Sequence, residues 1–154
     1  MSDPHIGLLS YQRAFVVRDI APLPTIHEKG LFILADGEGE DKRITYALID
    51  GRTVKATVVF VYADPYEGER CFGVGYAVAE AYRGQGIATD VLKRSISDFQ
   101  QGMKLPLFYL EAIVDATNLP SRRVCEKVLS SDGEPLIEVL SGKPSIRYIR
   151  CVEQ

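Results

Sequence analysis

The stretch Tyr82-Arg83-Gly84-Gln85-Gly86-Ile87-Ala88-Thr89 joins an apolar, strand-like run ending at Val78 to an amphipathic helical run from Ile87 to Gln101. Two glycines in three residues remove the side chains that would keep a ligand away from the backbone. They stand where a helix begins, and the first N–H groups of a helix have no partner within it. The helix dipole adds partial positive charge at the same point and Arg83 adds a full one, so the stretch has the makings of an anion socket suited to phosphate or pyrophosphate. Read alone, it also fits an ordinary strand-to-helix turn that needs glycines only for its geometry.

Two common phosphate loops are excluded by the residues after the glycines. A nucleotide-triphosphatase loop needs Lys and then Ser or Thr after its last glycine, and here Gly86 precedes Ile87 and Ala88. A dinucleotide fingerprint counted from Gly84 needs Gly or Ala at its sixth position, which Thr89 occupies.

The flanking segments give the order of elements. Ile44–Ile49 and Thr53–Tyr62 are β-branched and aromatic runs separated by Asp50-Gly51, a favoured hairpin turn. On the second run Val54, Ala56, Val58, Phe60 and Tyr62 fall on one face of the alternation. Cys71–Val78 supplies the strand that leads into the loop, and its Gly73 and Gly75 are expected at a bulge or a close backbone approach. The helix carries Ile87, Ala88, Val91, Leu92, Ile96 and Phe99 as one apolar stripe, with Gly102 as its expected stop. Leu107–Val114 reads as the next strand, completing a strand, helix, strand unit and so a parallel pair. Asn118 and Pro120 open a second helix, Arg122 and Glu126 are spaced for an ion pair on it, and Leu136–Leu140 with Ser145–Val152 form a closing hairpin. Towards the start, Tyr11–Arg18 reads as a strand, Pro22 and Pro24 exclude helix, and Gly30–Leu34 reads as a short strand. The acidic loop Asp36–Asp41 reads as a solvated connection, with a cationic substrate as its sharper alternative.

A chain of 154 residues is long enough for one domain with its own core and too short for two ordinary ones, so a single domain over residues 1–154 is expected. A net charge of -3 without a basic tract argues against nucleic-acid binding. The start lacks a basic region followed by an apolar one, and no apolar run reaches membrane-spanning length; the expectation is a cytoplasmic protein with no membrane partner. Cys71, Cys125 and Cys151 are far apart, and His5 and His27 stand beside no second ligand at helical spacing. Neither a disulfide framework nor a metal is expected, and both histidines read as solvated or locally bonded.

Together these residues resemble the GNAT superfamily of acyl-CoA-dependent N-acyltransferases. That family's pyrophosphate loop reads Gln or Arg, two residues, Gly, one residue, then Gly or Ala; Arg83, Gly86 and Ala88 match each fixed position. The order of elements matches from about Arg43 to Val152. A second local match, Leu110-Glu111-Ala112 followed by Asn118-Leu119-Pro120-Ser121, looks like the branch that includes ribosomal-protein N-terminal acetyltransferases. The resemblance implies an α/β fold of α+β character: a mixed, mostly antiparallel twisted sheet with a central, splayed parallel pair and flanking helices.

It further implies acetyl-CoA as cosubstrate, no metal, and direct transfer of the acetyl group to a primary amine, on a small molecule or on a protein or peptide N-terminus. The backbone of Arg83, Gly84, Gln85, Gly86, Ile87, Ala88 and Thr89 would hold the pyrophosphate, and Tyr76, Ala77 and Val78 would pair with the pantetheine arm. Asn118 and Ser121 would touch that arm farther along, although both also read as caps of the second helix.

An amine of pKa ~8 to ~10.4 must lose its proton before attack, and the oxyanion then formed needs a donor such as a backbone N–H near Ala77 or Val78. Glu111 is the candidate base, with a plain reading as a strand-edge carboxylate paired to an arginine. Many relatives donate the final proton from a Tyr that follows the residue matched here by Val124; this chain has Cys125 there. Three options follow: no dedicated acid, an acid from Ser121, Tyr109 or Tyr148, or weakened activity. The alternative function is a non-catalytic acyl-CoA-binding sensor or partner module. A nucleotide- or phosphate-binding regulator using the same socket is a third reading, and the edge at the final hairpin is a candidate for pairing two chains as a homodimer.

Overall fold

The computed structural model describes residues 3–154. In chain order the elements are α1 (Pro4–Val16), β1 (Leu23–Pro24), β2 (Leu31–Asp36), β3 (Arg43–Asp50), β4 (Thr53–Tyr66), β5 (Glu69–Val78), α2 (Ile87–Met103), β6 (Leu107–Asp115), α3 (Leu119–Val128), β7 (Glu134–Ile137) and β8 (Pro144–Glu153). The eight strands are hydrogen-bonded in the order β1, β2, β3, β4, β5, β6, β8, β7. The strands β5 and β6 run parallel, with Cys71 beside Tyr109, Phe72 beside Leu110 and Gly73 beside Glu111. The expected mixed, mostly antiparallel sheet with one parallel pair and flanking helices is therefore what the chain forms. Two compact units make it up, Met1–Tyr62 with Val74–Lys104 and Ala63–Gly73 with Leu105–Gln154.

In the first unit, β3 and β4 form the expected hairpin, with Asp50 paired to Thr53 and the turn at Gly51-Arg52, one residue later than the sequence suggests. Gly51 has φ 62, which a glycine adopts without the strain of a Cβ. The register then slips: Ile49 pairs with Val54 but Leu48 pairs with Ala56, so Lys55 is one residue in excess on β4. This bulge overturns the single face read for β4, because an inserted residue reverses the alternation beyond it. Val54 joins Tyr11, Ala47 and Ile49 in a cluster flanked by Phe15, Ile20, Phe32 and Leu34. Phe60 lies on the other face, edge-on to Tyr46 at 5.8 Å and stacked on Phe99 of α2 at 4.2 Å. Tyr62, the last residue read on that face, is exposed.

The helix α2 buries Val91, Leu92, Ser95, Ile96 and Phe99, the stripe that periodicity predicts. It runs through Gly102 and stops at Lys104, whose φ of 53 ends the helical path. Tyr46 donates its hydroxyl to Asp98 on α2 at 2.8 Å. Arg94 bonds Glu28 at 3.1 Å and the Lys29 carbonyl, fastening the segment before β2 to the helix.

The strand expected at Tyr11–Arg18 is instead the second half of α1. Asp3 caps this helix by accepting the His5 N–H, and Pro4 opens it, so that Leu8 and Tyr11 are buried on one face and Phe15 packs beside them. Gln12 reaches the β3–β4 turn, accepting from Val54 N–H at 2.7 Å and donating to the Arg52 carbonyl at 2.9 Å. The acidic loop is a solvated connection, and Asp36 is ion-paired with Arg43.

In the second unit β6 is flanked by β8 along its whole length, from Leu107 with Glu153 to Asp115 with Ser145. Phe108, Leu110, Ala112, Tyr148 and Val152 are buried on the face that α3 covers with Cys125 and Val128. Arg150 donates to the Val128 carbonyl at 3.0 Å and so closes the end of α3. The predicted direct pair of Arg122 and Glu126 is mediated: Tyr148 donates to Glu126 at 2.8 Å and accepts from Arg122 at 3.4 Å. Val139 and Leu140, read as strand, are exposed in the β7–β8 connection. Among the described residues no helix is long and apolar enough to cross a membrane.

Candidate active site

Beyond Val78 the chain is held in a fixed shape before α2 begins. The Ala79 N–H donates to the Lys55 carbonyl at 2.8 Å, and a 3-10 turn over Glu80–Tyr82 is closed by Tyr82 N–H to Ala79 and Arg83 N–H to Glu80, at 2.9 and 3.3 Å. The Lys55 ammonium lies over the Tyr82 ring, 5.1 Å from its centre. Gly84 and Gly86 then take φ of 77 and 75, a left-handed path that costs other residues roughly 1 kcal/mol or more. A Cβ built on either would meet nothing within 4 Å, so the chain around them does not require glycine for packing. The path does, and the space beyond it is open.

Gly86 is the N-cap of α2 and gives the helix no side-chain cap. The first helical bond runs from Asp90 N–H to the Gly86 carbonyl at 3.2 Å. Among the described residues the N–H groups of Ile87, Ala88 and Thr89 accordingly have no backbone acceptor outside the helix. Arg83 donates Nε to the Val78 carbonyl at 3.1 Å and Nη2 to His5 Nδ1 at 3.2 Å. No carboxylate pairs with it among the described residues. The residues expected to hold a pyrophosphate thus form an open cradle of left-handed glycines, helix-end donors and an uncompensated guanidinium. They fit an anionic group.

Tyr76, Ala77 and Val78 end β5 in the same unit as the loop, whereas Glu111, Asn118 and Ser121 belong to the second unit. Asn118 accepts the Ser121 N–H at 3.2 Å and is the N-cap of α3, as its capping reading requires. Asp115 sets up that cap by accepting from the Thr117 hydroxyl and N–H, which hold its carboxyl below the usual range. Glu111 is on the opposite face of β6, where its Oε2 lies 2.9 Å from Arg147 Nε. Glu111 therefore faces away from the side of β6 on which α3, with Ser121, packs, and the two are not brought together.

Around Glu111 the structure gathers residues that the sequence leaves scattered. Arg147 lies over the Tyr66 ring at 5.3 Å, and Tyr66 meets Tyr109 edge-on at 4.8 Å. A cleft of about 520 Å³ opens here, lined by Tyr66, Tyr109, Arg147 and three carboxylates, Glu67, Asp132 and Glu134. Its acids outnumber its one lining arginine, so it favours cations. Asp132 and Glu134 carry no motif of their own; only the return of β7 beside β8 brings them here.

The cysteines are poor nucleophiles. Burial, and then the Glu111 carboxylate, push the Cys71 thiol up to about 11, and burial also raises Cys151. Cys125 is fully buried, and among the described residues no cysteine forms a disulfide. Of the alternative acids, Tyr148 is buried beneath α3 and Tyr109 lines the cleft; burial raises the pKa of each. Among the described residues no group of side chains is arranged to hold a metal ion.

A family model described as the Acetyltransferase (GNAT) domain matches residues 13–128. The chain belongs to the GNAT acetyltransferase family. Solved structures agree in fold: a GNAT-family acetyltransferase from Streptococcus pneumoniae is 13% identical with a TM-score of 0.55, covering 71% of this chain and 66% of its own. RimJ from Mycobacterium smegmatis, in complex with CoA-disulfide, is 19% identical at TM-score 0.58, covering 71% of this chain and 53% of its own. A mutant of the spermidine N-acetyltransferase SpeG from Vibrio cholerae is 16% identical at TM-score 0.55, covering 70% and 64%. This GNAT chain thus spans two thirds or less of the length of these three structures. No curated protein sequence matches it significantly.

Proposed function

We propose that this GNAT chain is a cytoplasmic, acetyl-CoA-dependent N-acetyltransferase that moves the acetyl group directly to a primary amine, on a small molecule or on a protein or peptide N-terminus. The observation that carries the reading is the Arg83–Thr89 loop, with Gly84 and Gly86 left-handed and the first N–H groups of α2 available to an anion. In this reading the loop backbone binds the coenzyme A pyrophosphate, Tyr76–Val78 pair with the pantetheine arm, and Asn118 and Ser121 contact it. Support for the coenzyme comes from the family match and from a fold neighbour solved with CoA-disulfide. Support for an amine comes from the acid-rich cleft beside Glu111 and from a neighbour that is a spermidine N-acetyltransferase.

When bound, acetyl-CoA supplies the activated acyl group as a thioester. Glu111 takes the proton from the incoming ammonium, with Arg147 fixing its carboxylate in place. The backbone N–H of Ala77 or Val78 would donate to the thioester oxygen as charge develops there, and as the C–N bond forms and the C–S bond breaks the second amine proton would pass to the departing thiolate. Cys71 remains a thiol at neutral pH, which favours direct transfer over a covalent enzyme intermediate. Cys125, buried where relatives carry the proton-donating Tyr, favours a second reading: a non-catalytic acyl-CoA-binding module. Thiol release from acetyl-CoA across a panel of primary amines tests the two. Turnover with any amine, lost in Gly86→Glu, supports the enzyme; binding without turnover supports the module.

A further inference from the structure

The histidine nearest the start of the chain has a long-range partner. His5 is the second residue of α1, and its backbone is fixed by the N–H to Asp3 Oδ1 bond of 2.9 Å and by Pro4 at the first helical position. Its side chain meets Arg83, 78 residues away, with Nη2 and Nδ1 separated by 3.2 Å. Arginine carries five N–H donors and no acceptor, so the imidazole must be the acceptor here. That requires a neutral ring with its proton on Nε2. The other anchor is the Val78 carbonyl, which takes the Nε–H at 3.1 Å. Two of five donors are thereby used, and three donors with the full charge remain.

A long, exposed side chain that must be ordered when a ligand binds lowers affinity through the rotamer freedom it gives up. Arg83 has already given that freedom up. Val78 alone fixes one donor of the guanidinium and leaves the plane free to swing; a second acceptor, from α1, fixes the plane.

We propose that His5 is a positioning residue for the phosphate loop: by accepting from Arg83 it locks the guanidinium against the end of β5, so that its free donors and charge are preorganised for the coenzyme pyrophosphate. This rests on the reading of the loop given above. His5 touches no reacting atom, and its effect passes entirely through Arg83.

The test is calorimetric titration of coenzyme A into the full chain and into His5→Leu, His5→Asn, Arg83→Ala and the double variant His5→Leu/Arg83→Ala, with thermal melting to establish that each is folded. Asn offers an oxygen close to the position of Nδ1. Losing one net hydrogen bond corresponds to a factor of roughly three to ten in Kd. We expect that weakening in His5→Leu, affinity within about twofold of wild type in His5→Asn, and no further loss from His5→Leu once Arg83 is Ala. A wild type that binds and a His5→Leu variant that binds equally well would overturn the role of His5 alone. So would a loss of the same size in the Asn variant or in the Arg83→Ala background, since either marks a structural effect. A wild type that binds no coenzyme A overturns this inference and the proposed function together.

Discussion

The carbonyl of Lys55 accepts the N–H of Ala79 at 2.8 Å, and Lys55 is the residue that β4 carries in excess of β3. The bulge and the phosphate loop are thereby one construction. Inserting Lys55 reverses the alternation of β4, sending Val54 towards α1 and Phe60 towards α2, and it aims a carbonyl at the residue where β5 ends.

Deleting Lys55 should therefore be far worse than truncating it. Lys55→Ala removes the contact with the Tyr82 ring and the 3.6 Å ion pair with Asp50, each worth roughly 0.5 to 1 kcal/mol at most. Deletion leaves Ala79 without its acceptor and puts Val54 out of register with its cluster, and we expect at least ~2 kcal/mol of lost stability. Urea unfolding of both variants checks the contrast.

Tyr11 gives a pH-dependent signature. It is buried, its hydroxyl has no partner among the described residues, and burial pushes its pKa up to about 12. An unfolded chain ionises this group near 10 while the folded chain keeps its proton, so stability is complete below pH 10 and falls as pH rises towards 12. Tyr11→Phe should flatten that fall and leave stability at neutral pH unchanged or raised, because a buried hydroxyl without a bond is unfavourable. Thermal melts from pH 7 to 12 measure both.

Gly133 is packed against side chains. A Cβ there would come within 2.4 Å of Ile146 Cγ2 and 2.8 Å of Tyr148 Cε1. Gly133→Ala should cost about 1 to 3 kcal/mol by overpacking and loosen the hydroxyl bridge from Tyr148 to Glu126. Denaturant unfolding checks the first effect, and a larger loss than in Tyr148→Phe checks the origin.

Two substitutions separate chemistry from structure at Glu111. Glu111→Gln should lower kcat by about 10² or more and change stability by less than ~1 kcal/mol, since the pair with Arg147 is partly exposed. Arg147→Met should leave a smaller defect in kcat, because the carboxylate survives without its anchor. Steady-state kinetics with whichever amine turns over, beside unfolding curves, distinguishes the two.

How much of the molecule is legible in the sequence depends on the range of the interactions involved. The loop, α2 and the β3–β4 hairpin are written in local chemistry: glycines at left-handed positions, an apolar stripe with helical spacing, and a turn dipeptide between β-branched runs. The start of the chain misleads because Tyr11, Phe15, Val16 and Val17 have high strand propensity, while the signals for helix are the Asp3-Pro4 cap and the spacing of Leu8, Tyr11 and Phe15. Lys55 gives no local sign of being an extra residue, since its excess is defined by partners on β3 and at Ala79. The same holds for Arg122 and Glu126, whose spacing suggests a direct pair until Tyr148 arrives from β8. Glu111 is legible as a carboxylate in a strand, but its arginine and the acids of the cleft that Arg147 lines are contributed by segments 20 or more residues away in sequence.

The most direct test of the central claim is titration calorimetry of coenzyme A and acetyl-CoA, against ATP and NAD, into the wild-type chain and Gly86→Glu. Saturable binding with a clear preference for the coenzyme A forms is expected, lost when a charged side chain is placed on the left-handed Gly86. Absence of binding to either coenzyme A form, or equal binding of ATP and NAD, would contradict it.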